Sequence, residues 1–147
     1  MLLLGTSLAC LFGLPNVYTV LHRDKHDIEC FSFVCCVCVC GRLDDALNYS
    51  EPWPWMHPPR HALGALLLDQ GQIEEATRVY RADLGLDPLL PRPSWHPDNV
   101  WSLHGLVECY ERSANGAMAE EFRPRLRAAL GDADISLDSS CACRRRL

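Results

Sequence analysis

The side chains with the widest chemical repertoire stand near the front of the chain. His22 and His26 precede Cys30, and Cys35, Cys36, Cys38 and Cys40 follow closely. Thiolates and imidazoles are the soft and borderline ligands that zinc or copper(I) take. The spacing is poor for a structural zinc site, which pairs its ligands as CxxC across a turn. In a strand, Cys36, Cys38 and Cys40 share one face while Val37 and Val39 take the other. Sulfurs spaced by ~6–7 Å per two residues cannot close one tetrahedral shell, although a loop could gather them. A disulfide framework needs an oxidising compartment, and nine cysteines leave one unpaired. The plainer alternatives are an apolar β-like segment over 31–40, with cysteine as a small apolar residue, or an extension without regular order.

Other reactive types are sparse. His57 and His61 stand at i, i+4, a metal-compatible spacing, but Pro58 and Pro59 leave His57 outside regular helix. The pair therefore reads as exposed or capping. His96 and His104 have no acidic partner at a fixed spacing. No nucleophile elbow, phosphate-binding glycine loop, HExxH or dinucleotide signature occurs. No catalytic residue, metal or cofactor is assigned, and the chain is expected not to be an enzyme. A formal charge of −5 over 147 residues argues against a general nucleic-acid binder. A small-molecule substrate is not expected either.

The elements that would position these groups change character along the chain. The apolar run 1–14 is too short to span a bilayer and has no Lys or Arg ahead of it. A cytoplasmic location is expected, with secretion as the alternative. Asn48-Tyr49-Ser50 would accept a glycan only in a secreted chain. From Glu51 a segment rich in proline and tryptophan leads into a helix, with Leu63, Leu66 and Leu67 at i, i+3, i+4. Gly71 suits the left-handed position after that helix. A second helix starts near Ile73, carries Ile73, Ala76, Val79, Tyr80 and Leu84 on one stripe, pairs Glu74 with Arg78, and closes at Pro88. A proline-rich connector, Leu89–Asn99, follows. Leu103, Leu106, Val107 and Tyr110 then supply an apolar helix face, and Asn115-Gly116 a turn. Pro124 inside Ala117–Leu130 predicts a kink or a late helix start.

Two short helices joined by a tight glycine turn invite a test against helical repeats of about 34 residues. With Gly64 as the close-approach glycine, Leu63 and Leu67 fall at large apolar positions, Ala76 at a small one, Tyr80 at an aromatic one and Pro88 at the terminal proline. Arg60 stands where tryptophan is commonest, and Asp83 where alanine is usual. With Gly105 in the same register, Trp101 meets the tryptophan position and Ala117 the small one. His104 takes a leucine slot, and the aromatic is displaced from Glu121 to Phe122. On these residues the chain resembles the tetratricopeptide-repeat family over roughly residues 47–143. Glu51-Pro-x-x-Trp55, His61-x-Leu63-Gly64-Ala65-Leu66-Leu67 and Trp101-Ser102-Leu103-x-Gly105-Leu106 look like the last repeats of long microbial members.

The resemblance implies an all-α fold of two antiparallel helix pairs, an α-solenoid fragment. The expected organisation is a Cys-rich N-terminal extension over 1–46, poorly ordered or ambiguous between strand and helix, a helical domain over 47–134 and a tail over 135–147. It also implies a protein or peptide partner, held on a groove of Pro58, His61, Ala65 and Leu68 in the first unit and Asn99, Ser102, Leu106 and Cys109 in the second. The cationic clamp that family members use for chaperone carboxylate tails is absent from this mostly neutral set. Two units fall short of the ~3 that stacked repeats need, so a piece of a longer protein, and self-association, are expected. Arg144-Arg145-Arg146 reads as a solvated basic end. The competing function is a small metal or redox protein built on the Cys30–Cys40 cluster.

Overall fold

The computed structural model describes residues 36–47, 57–134 and 136–144 (the side chain of Cys143 excepted), all within the unit Cys36–Leu147; the remaining unit is Met1–Cys35. The run 1–14, His22, His26, Cys10, Cys30, Cys35, the Asn48-Tyr49-Ser50 acceptor, the Glu51–Trp55 motif and Arg145–Arg146 lie outside the described residues.

The described residues are all-helical, with no strand: α1 over 36–45, α2 Pro59–Asp69, α3 Ile73–Asp83, α4 Val100–Arg112 and α5 Gly116–Gly131, plus short 3-10 turns at Arg92–Ser94 and Ala142–Arg144. Helix α1 corrects the strand reading of the cysteine tract. Its covered positions are 37, 38, 41, 44 and 45, which follow the helical period rather than the alternation of Cys and Val. Cys36 and Cys40 therefore share a face, and Cys38 lies on another. These three thiols are free and do not form a common row.

Three helices end in the same device. Past α2, Gly71 (φ +73°) donates to Leu68 O and Gln72 N to Leu67 O. Past α3, Gly85 (φ +71°) donates to Ala82 O and Leu86 N to Arg81 O. Past α4, Ala114 (φ 57°) donates to Glu111 O and Asn115 N to Tyr110 O. Each is the paired C-terminal cap that satisfies the last carbonyls through a left-handed residue. Gly85, not Pro88, thus closes α3, and Pro88 is exposed. Likewise Ala114, not Gly116, makes the turn between α4 and α5, and Gly116 is the first residue of α5. The side chains of Asn99 and Asn115 cap the N-termini of α4 and α5. Helix α5 runs unbroken from Gly116 through Pro124, so the late start does not occur. Arg78 pairs with Glu75 at i, i+3 rather than with Glu74.

Each of α3, α4 and α5 packs on the helix before it, and α2 also touches α4. The three-residue links make α2/α3 and α4/α5 antiparallel pairs. Tyr80, on α3, is the joint between them. A Cβ built on Gly64 of α2 would lie 2.4 Å from its ring, and one on Gly105 of α4 would lie 2.2 Å from it. Tyr80, Leu68, Leu103 and Leu106 are fully buried, each contributing about 1.5–3 kcal/mol of apolar transfer. Among the described residues no helix is long and apolar enough to cross a membrane.

Candidate functional site

The most concentrated polar chemistry lies where α3 ends. Helix α2 carries His61, the last residue of α3 is Asp83, the connector brings His96, and the first turn of α4 brings Ser102. The connector is folded back onto α3 by backbone and side chain together: His96 N donates to Asp83 O at 2.7 Å. Its ring Nδ1 then donates to Asp83 Oδ1 at 2.7 Å. Asp83 Oδ2 accepts from His61 Nε2 at 3.1 Å and from Ser102 Oγ at 2.5 Å. Gly85 allows the neighbouring approach, since a Cβ there would sit 2.7 Å from the Trp95 ring.

Asp83 is 0% exposed and His61 1%. Burial pushes the Asp83 carboxyl up, but hydrogen bonds from His61 and His96, and their charge, outweigh it and hold the group well below the usual carboxylate range. Donation to Asp83 places a proton on His61 Nε2, and His61 Nδ1 is left buried without a partner. His57 lies edge-on to His61 at 5.3 Å and to Trp101 at 6.0 Å between ring centroids. Its Nε2 is 3.6 Å from Sγ of Cys141, which is disulfide-bonded. Burial, then the charge of His61, lowers the His57 pKa. Arg60, buried at the tryptophan position, pairs with Asp45 and so ties α1 to α2.

The sequence-derived groove set is largely interior. Pro58, His61, Ala65, Leu68, Ser102, Leu106 and Cys109 are buried, and half-buried Asn99 spends its side chain on Trp101 N and Ser102 N. Burial pushes the Cys109 thiol up to about 11, so it stays protonated. Of the repeat-register residues, Leu63, Leu67, Ala76 and Tyr80 are buried and Gly64 and Gly105 flank Tyr80, while Trp101 is half-buried. His96, expected to lack an acidic partner, has Asp83 across the connector. Arg144, expected to be a solvated end, is bound to Glu108 at 2.8 Å and Asp69 at 3.0 Å.

A second feature faces outward. A cleft of about 550 Å³ lies between α4, α5 and the tail, lined by Val107 and Leu126 together with His104, Glu111, Arg123 and Asp138. Burial lowers the His104 pKa, and its Nδ1 has no partner. No protein-family model, curated protein or solved structure matches the chain.

Proposed function

We propose that the chain is a non-catalytic helical-repeat module of the tetratricopeptide type that works by holding a protein or peptide partner. The observation that carries the reading is the Tyr80 joint. One aromatic on the second helix of a pair lies against the close-approach glycine of its own pair, Gly64, and that of the next, Gly105. That is the glycine and aromatic register which the resemblance implies, and it is how one pair stacks on another in a solenoid. Catalytic inertness is supported by the hydroxyl of Ser102. It donates to Asp83, a carboxylate of lowered basicity, and neither residue has solvent exposure, so the hydroxyl is not presented to a substrate.

With the expected groove residues buried, the cleft beside α4 and α5 is a surface among the described residues that is open to a partner. Apolar Val107 and Leu126 set among charges of both signs suit a short extended peptide with one apolar anchor. Self-association would use Val39, Leu43 and Leu47, which are 40%, 64% and 49% exposed on and just past α1. For the alternative metal or redox role of the Cys30–Cys40 cluster, the helical spacing puts Cys36 and Cys40 on one face at i, i+4 and leaves Cys38 off it.

Selection of peptides from a random display library against the full-length chain tests the proposal. Enriched peptides should bind at least tenfold more weakly to Leu126→Asp and unchanged to Arg78→Ala. Failure to enrich any binder, or binders indifferent to Leu126→Asp, would overturn it.

A further inference from the structure

The buried cluster at the end of α3 has the composition of a metal site. His61, Asp83 and His96 each offer one ligand atom, and these atoms all lie within 4.8 Å of one another. They come from three separate segments, α2, the end of α3 and the connector, so the fold itself has to assemble them. Two imidazole nitrogens and one carboxylate form a borderline donor set that suits zinc rather than magnesium or calcium. Ligand atoms bound to one tetrahedral zinc at about 2.0–2.1 Å stand about 3.3 Å apart. His61 Nε2 lies 3.1 Å from Asp83 Oδ2 and His96 Nδ1 2.7 Å from Asp83 Oδ1, so an ion that takes the place of the two ring protons would draw these donors onto one centre. Ser102 Oγ already donates to the same carboxylate, the kind of outer hydrogen bond that orients a ligating oxygen.

The three ligands are also enclosed, with Asp83 0%, His61 1% and His96 9% exposed, so an ion among them is shielded from bulk water. We propose that His61, Asp83 and His96 bind a zinc-class divalent cation, which locks the connector onto α2 and α3. The site is distinct from the cysteine tract of α1. His96, at 9% exposure the outermost of the three ligands, marks the side from which an ion arrives.

The experiment uses the full-length chain, with accessible thiols alkylated so that cysteines cannot report, stripped of metal and then titrated with zinc. Retention of one zinc per chain through dialysis is expected, together with a rise in the melting temperature. Cobalt(II) in place of zinc should give d–d bands without a thiolate charge-transfer band. His96→Ala, checked for an unchanged helical circular-dichroism spectrum, should bind zinc at least tenfold more weakly. No zinc retained by the alkylated chain, a thiolate band with cobalt, or equal binding by folded His96→Ala would each overturn the proposal. Should His96→Ala fail to fold, stoichiometry and the cobalt spectrum of the unsubstituted cluster decide alone.

Discussion

The seam between the helix pairs and the seam inside the last pair are built in opposite ways. Between the pairs, Tyr80 fills the space against two glycines, and the surrounding Leu68, Leu103 and Leu106 are fully buried. Inside the last pair, Phe122 lies 5.8 Å from Tyr110 between ring centroids, but a cleft remains where His104 and Glu108 replace apolar side chains. The turn there uses Ala114 in a conformation that suits glycine. The tail is held against α2 and α4 by Arg144 on Asp69 and Glu108. Glu108 is held below its ordinary value: burial raises it, and the Arg144 hydrogen bonds win. The difference teaches that the Tyr80 seam is specified by size, and the outer seam by charge pairs that are worth less and open more readily.

The comparison breaks most severely at Asp83. Asp83→Ala leaves His61, His96 and Ser102 without their shared acceptor and should cost about 3–5 kcal/mol in urea unfolding of the full chain. The same carboxylate sets an acid limit. Its pKa is depressed in the folded chain, so its contribution is fully present above the unfolded value, about 3.9, and fades as pH falls toward the folded one. Stability measured from pH 6 to pH 2 should therefore drop below about pH 4, and Asp83→Asn should flatten that part of the curve.

Gly105→Ala comes next. Its new methyl would meet the Tyr80 ring, which Gly64 blocks from retreating, at a cost of about 1–3 kcal/mol or more. Gly116→Ala, which faces open space, is the matched control and should gain up to about 1 kcal/mol. The smallest effect sharpens the outer seam. Ala114→Gly removes left-handed strain at an exposed position and should stabilise by about 1 kcal/mol, read as a higher urea midpoint at constant slope.

The legible parts were those written in local spacing. Gly64, Tyr80, Gly71 and Gly105 announce a close helix approach and a tight turn through residue size and backbone freedom alone. Ala114 carries no such mark, because an alanine in a left-handed turn looks like any helix residue. Gly85 is less visible in sequence than Pro88, since a proline stops a helix by itself while a glycine cap depends on two hydrogen bonds. In α1 the alternation of Cys and Val imitates a strand, and only the pattern of burial reveals the helical period. The His61–Asp83–His96 cluster was invisible as a motif because its bonds span 13 and 22 residues and pass through a folded connector. Its one trace was Asp83 itself, a carboxylate at the end of an otherwise apolar stripe where the repeat pattern prefers alanine. A charge in a slot meant for a small apolar residue asks for partners, and the two histidines are those partners.

Native-state amide hydrogen exchange on the full chain tests the contrast between the seams most directly. The buried-Tyr80 seam predicts that α2, α3 and α4 exchange only through the largest opening, as one unit, while α5 and the tail exchange through a smaller, separate opening. Protection of α5 equal to that of α3, at every denaturant concentration, would contradict it.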